Sequence, residues 1–184
     1  DPEGVRHVPR ILDEYGIRFV VVESLPSSKI DGVCFWLDNW SPVIGVSGRF
    51  DRIDNFWFVL RHEIEHVING DGKDAEVIDS DGNFNEFDET LPEEEIRANK
   101  AAANFCVDSE QFISYFKRKN PYFYERDLIA FSRIQKRHPG IVAGQLRKKL
   151  DRWTIFQKHL VSVRKFLLSS ATYDGWGNTY PINL

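Results

Sequence analysis

The sequence has 184 residues, 42% of them hydrophobic, and its 24 Lys and Arg against 28 Asp and Glu give a formal net charge of −4. This balance excludes collagen-like, disordered and disulfide-framework chains, and it predicts a globular chain with a sizeable core. No apolar run approaches the roughly 18 residues that a membrane span needs, so we expect a cytoplasmic protein that does not contact a membrane.

The first part of the chain predicts one helix followed by a small sheet. Apolar residues at helical spacing predict a helix over 3–15, which Gly16 ends. Segments rich in β-branched residues, separated by Pro, Ser, Asp and Asn, then predict three short strands over 17–23, 32–37 and 42–46.

The next part predicts the first long helix and an acidic loop. Apolar residues return at helical spacing over 54–69, with Asp54 as the N-cap and Gly70 directly after the end. Residues 71–89 predict a mobile loop. The stretch 71–95 contains eleven acidic side chains and one basic side chain, so acidic charge is concentrated there.

The rest of the chain predicts helices. Thr90 and Glu93 have the spacing of a capping box, which predicts a helix that extends to about residue 107. Further helices are predicted over 109–117, 124–137 and 140–150, and the tail from Ser169 is predicted to be irregular.

Three other features of the sequence bear on the class of protein. Residues 121–169 contain eleven basic and three acidic side chains, which is compatible with a nucleic-acid surface but is more typical of solvated helical faces. Cys34 and Cys106 lie far apart in the sequence, which predicts two reduced, buried thiols. The absence of Met, even at position 1, leads us to expect a piece of a longer chain.

The motif that indicates chemistry is His62-Glu63-Ile64-Glu65-His66, an H-E-x-x-H sequence within the first long helix. Side chains at i and i+4 project from one face, so His62 and His66 can bind one zinc ion. Glu63 is then placed to act as a general base toward water. The alternative is a helix with two solvent-facing histidines.

A catalytic zinc site needs a third protein ligand. The extended zinc pattern with a third histidine fails, because the required positions hold Asn69 and Gly72. In the next predicted helix Glu95 and Asn99 share a face, so Glu95 is the candidate ligand and Asn99 the candidate acceptor for the second ring N–H of His62. Glu93 and Glu94 are better explained as acids that complement the helix dipole.

With these residues in place, the sequence resembles a known family. The segments Phe56–His66 and Glu95-Ile96-Arg97-Ala98-Asn99, with the later His138–Leu146, are similar to the ImmA/IrrE family of zinc metallopeptidases. The resemblance implies an α+β, zincin-like fold. In such a fold we expect a three-stranded or larger twisted sheet packed on the H-E-x-x-H helix, followed by a helical part. It also implies that His62, His66 and Glu95 bind Zn²⁺ and that Glu63 is catalytic.

The resemblance further implies a protein substrate, namely a helix-turn-helix repressor or a toxin–antitoxin regulator. The tail Asp174-Gly175-Trp176-Gly177 resembles antitoxin-type regulators in which a DNA-binding domain precedes the peptidase-like part, so DNA contact is expected only through such a missing domain. We expect one domain over 1–184, divided at about residues 90 and 168. The alternative function is a regulatory module, zinc-bound or metal-free, that controls the DNA-binding domain without proteolysis.

Overall fold

A mixed β-sheet and the long helix that lies on it organise the α+β fold, which has the layered arrangement of a zincin. The computed structural model describes residues 1–80 and 90–178, and at positions 79 and 80 it describes the backbone only. In the described part the sheet has five strands in the order β4-β2-β3-β1-β5. The strands are β1 (Arg18–Val22), β2 (Ile30–Trp36), β3 (Pro42–Val46), β4 (Val77–Ser80) and β5 (Thr172–Asp174).

The three predicted strands form the centre of this sheet. β2 runs antiparallel to β3 and to β4, whereas β1 runs parallel to β3 and to β5. All five residues of β3 are buried, as expected for a central strand with both faces covered. The sheet is therefore larger than the three strands that β-branched composition predicted.

The helices follow the predicted order. A short 3-10 helix (Pro2–His7) precedes the first α-helix, and another (Gln157–His159) precedes the last one. The α-helices are α1 (Val8–Glu14), α2 (Ile53–Asn69), α3 (Glu93–Cys106), α4 (Ser109–Lys119), α5 (Glu125–Ile134), α6 (Pro139–Leu150) and α7 (Arg164–Leu167).

Three predicted helix starts were wrong in detail. The first helix is divided, because Pro9 has no backbone N–H to continue the hydrogen-bond pattern through the turn before it. Asp54 does not cap α2; it lies in the first turn and forms an ion pair with Arg52, at 3.1 Å between Arg52 Nε and Asp54 Oδ1. The capping box is absent from α3, because the N-cap position is occupied by Pro92, which has no side-chain acceptor.

Two segments predicted to be irregular contribute strands. Residues 77–80 of the predicted acidic loop form β4, which hydrogen-bonds to β2, and residues 172–174 of the tail form β5 beside β1. Pairing at the two edges satisfies backbone groups that would otherwise lack partners, although neither segment has an alternating pattern that would signal it. Residues 81–89 of the predicted loop lie outside the described residues.

The core lies between the sheet and the helices that pack around α2. Cys34 and Cys106 are both buried and form no disulfide, as predicted, and burial raises the pKa of the Cys106 thiol to about 12, so it remains a neutral core group. In the part of the chain described, no helix combines the length and apolar character required to cross a membrane.

Candidate metal centre

The two histidines of the H-E-x-x-H motif lie on the face of α2 that α3 covers. His62 and His66 are fully buried, as is Glu63 between them. The histidines therefore do not face solvent, because α3 covers this face of the helix. Of the apolar residues at helical spacing on α2, Leu60 is buried, whereas Ile64 and Val67 are only half-buried.

Small side chains allow α3 to come this close. Ala98 and Ala102, which lie one turn apart on α3, have no exposed surface. Two helix backbones approach closely only where the side chains between them are small. This packing brings Glu95, at the start of α3, close to the two imidazoles.

The three predicted ligands meet in one cluster. The Nε2 atoms of His62 and His66 are 3.0 Å apart. Oε2 of Glu95 lies 3.3 Å from His62 Nε2, and Oε1 of the same carboxylate lies 3.6 Å from His66 Nε2. Glu95 is 6% exposed, so all three side chains are largely removed from water.

This cluster has the chemistry and the dimensions of a metal site. Two imidazole nitrogens and a carboxylate are a known donor set for catalytic zinc, and a tetrahedral ion with bonds of about 2.0–2.1 Å separates its ligand atoms by about 3.3–3.4 Å. The separations of 3.0 Å between the two Nε2 atoms and of 3.3 Å between His62 Nε2 and Glu95 Oε2 are close to that value, and Oε1 of the same carboxylate lies 3.6 Å from His66 Nε2. These residues therefore fit a divalent ion, which would also offset the cost of burying carboxylates.

Glu63 contacts the sheet, next to the ligand cluster. A Cβ atom built on Gly32 of β2 would overlap the carboxylate of Glu63, so the absence of a side chain at position 32 creates the space that this carboxylate occupies. Glu63, which follows His62 on α2, thus packs against strand β2. Its predicted role as a base stays a prediction.

One contact of the site was missed by the sequence analysis. Asp71 lies just beyond the C-terminus of α2, and its Oδ2 is 3.0 Å from Nδ1 of His66. Arg97 of α3 donates to the same oxygen at 2.6 Å. The available signal in the sequence was that Asp71 directly follows Gly70, the glycine that ends α2. The proposed acceptor Asn99 is buried one turn after Glu95, and its contact with His62 stays a prediction.

Comparison with known proteins assigns a family to this arrangement. The family model of peptidase M78, described as the IrrE N-terminal-like domain, matches residues 12–138. The matched range covers more than half of the chain and contains all the residues of the cluster. The chain belongs to this metallopeptidase family, which confirms the ImmA/IrrE resemblance. No curated protein matches the chain.

Replacement of Glu95 tests the ligand set. We expect Glu95→Ala to lower zinc affinity by about tenfold or more and to remove most of the rise in melting temperature that zinc produces, because one of three ligands is lost. The matched control is Glu94→Ala, which removes a carboxylate from the same turn of α3 and so produces the same change in charge. Zinc titration by calorimetry is the measurement, and equal affinities for the two variants would contradict the assignment of Glu95.

Proposed function

We propose that this protein is a zinc-dependent endopeptidase that cleaves a protein substrate. The observation that carries the proposal is the buried cluster of His62, His66 and Glu95, with Glu63 buried on the same helix as the two histidines. The family is of the metallopeptidase type, which supports a hydrolytic reaction. Zinc, when bound, supplies a Lewis acid that polarises a peptide carbonyl and makes water easier to deprotonate.

In the proposed mechanism the residues of this chain have separate tasks. His62, His66 and Glu95 would hold a zinc ion through two imidazole nitrogens and one carboxylate. Glu63 accepts a proton from the attacking water at one carboxylate oxygen. It then donates that proton to the amine that leaves when the peptide bond breaks.

Packing of Glu63 supports this division of tasks. The Glu63 side chain is fully buried and packs against the backbone at Gly32, near apolar Val59, so its carboxylate has few positions to adopt. Restriction of this kind keeps a base within reach of the reacting water without a loss of side-chain entropy at each turnover. We infer that β2 serves to fix Glu63 as well as to extend the sheet.

The proposed substrate is a transcriptional repressor or a toxin–antitoxin regulator, as the family resemblance implies. A separate DNA-binding domain on a longer chain would bring the site to such a partner.

Replacement of Glu63 tests the reaction. Glu63→Gln retains the size of the side chain but cannot accept the proton, so we expect cleavage of a partner regulator to be lost, by about a hundredfold or more, while zinc binding persists. The assay incubates zinc-loaded protein with the regulator encoded beside it and follows fragments by mass spectrometry. A Glu63→Gln variant that cleaves at the wild-type rate would contradict the mechanism. If the wild type and the variant regulate DNA binding equally and no fragments form, the result would instead support the non-proteolytic module.

Replacement of Gly32 tests the position of Glu63 without changing its chemistry. The methyl group of Gly32→Ala overlaps the Glu63 carboxylate, so we expect cleavage to fall by about tenfold or more while zinc affinity changes little. The control is Gly45→Ala on β3, whose methyl group would overlap Cγ1 of Val33 at 2.7 Å instead, so it strains the sheet without meeting Glu63. If Gly32→Ala leaves the cleavage rate intact, β2 does not fix Glu63.

A further inference from the structure

We propose that Asp71 and Arg97 are positioning residues that hold the metal-binding ring of His66. This inference rests on the proposed function in one respect, namely that His66 is a zinc ligand. An imidazole that binds a metal through Nε2 carries its proton on Nδ1, and a carboxylate that accepts this proton fixes both the tautomer and the orientation of the ring.

The end of α2 places Asp71 over His66. Gly70 has φ of 74°, in the left-handed region, and its amide donates to the carbonyl of Val67 at 3.1 Å. The amide of Asp71 donates to the carbonyl of His66 at 2.9 Å, which completes a Schellman motif. The chain therefore turns back at Gly70, and the Asp71 side chain reaches Nδ1 of the residue whose carbonyl its own amide binds.

The turn is held from the sheet as well. The indole N–H of Trp36 on β2 donates to the backbone carbonyl of Asp71 at 2.8 Å. Gly72 follows with φ of 82°, and a Cβ there would lie 2.7 Å from the carbonyl oxygen of Cys34, so only glycine lets the turn pack on β2. Asp71 is thereby fixed through its main chain and is free to hold His66 with its side chain.

Arg97 fixes the carboxylate from the other helix. Its guanidinium donates to Oδ2 of Asp71, the same oxygen that faces His66. Helix α3 therefore contributes to both nitrogens of the His66 ring. Glu95 lies near Nε2, and Arg97, two residues later, holds the Asp71 carboxylate that faces Nδ1. The side chains of Asp71 and Arg97 are 21% and 39% exposed, so this pair lies at the rim of the site.

The test uses zinc as the probe and reads both affinity and the tautomer of His66. We expect Asp71→Ala to lower zinc affinity by about 10-fold to 100-fold, and Arg97→Gln to lower it by a smaller factor of about threefold. Asp71→Asn retains an oxygen that accepts the Nδ1 proton, so it should restore most of the affinity. The matched control is Arg61→Gln, which removes the ion pair with Glu65 on the same helix and should leave affinity unchanged.

The second measurement separates positioning from a general loss of structure. Nitrogen-15 NMR of the metal-free proteins should show the proton of His66 on Nδ1 in the wild type and in Asp71→Asn, and a mixture of tautomers in Asp71→Ala. A lowered zinc affinity with an unchanged tautomer would overturn the inference, because the effect would then be structural.

The outcomes also distinguish this inference from the proposed function. Wild-type zinc affinity in Asp71→Ala would overturn the role of Asp71 and leave the peptidase proposal intact. If the wild-type protein itself binds no zinc, both proposals fall. Should Asp71→Ala not fold, Arg97→Gln and Asp71→Asn carry the test, since Arg97→Gln with an affinity equal to that of Arg61→Gln would overturn the inference.

Discussion

The close contact between α2 and α3 is the constraint on which the rest of the site depends. Two histidines on one helix give only two ligands, and the third must come from an element that reaches the same face. Ala98 and Ala102 allow α3 to lie against that face, and Glu95 then meets both imidazoles. The arrangement carries an energetic cost, because polar groups are buried between the helices, and a bound cation offsets that cost. The metal site and the packing of the two helices are therefore one structural feature.

The sheet contributes to the site through strand β2. At Gly32 the strand leaves space for the Glu63 carboxylate, and further along, near Cys34 and Trp36, it receives the turn that follows α2. A single strand thus contacts the candidate base at one point and the turn that supports a ligand at another. Helix α2 is therefore held by α3 on its histidine face and by β2 near Gly32 and near Trp36. The candidate ligands and base lie on helices, which position side chains more precisely than loops do.

Much of this could be predicted from the sequence, since helix periodicity and ligand spacing are local signals. The course of α2 and the H-E-x-x-H motif followed from residues within one or two turns of each other, and Glu95 followed from its spacing with Asn99 on the next helix. The structure brings His62, His66 and Glu95 together. The edge strands β4 and β5 were missed, because their pairing is set by neighbours distant in the sequence and not by their own composition. Asp71 was missed for a related reason, since its position depends on the turn at Gly70 and on Arg97 of another helix. The burial of the histidine face likewise depends on how α3 packs, and no pattern within α2 reveals it.

The central claim is that one metal ion joins α2 and α3 through two imidazoles and one carboxylate. Anomalous diffraction at the zinc absorption edge from crystals of the zinc-loaded protein tests this claim most directly. The account predicts one strong peak per chain within about 2.0–2.2 Å of His62 Nε2, His66 Nε2 and a carboxylate oxygen of Glu95. An absent peak at this cluster, or zinc bound only by other residues, would contradict it.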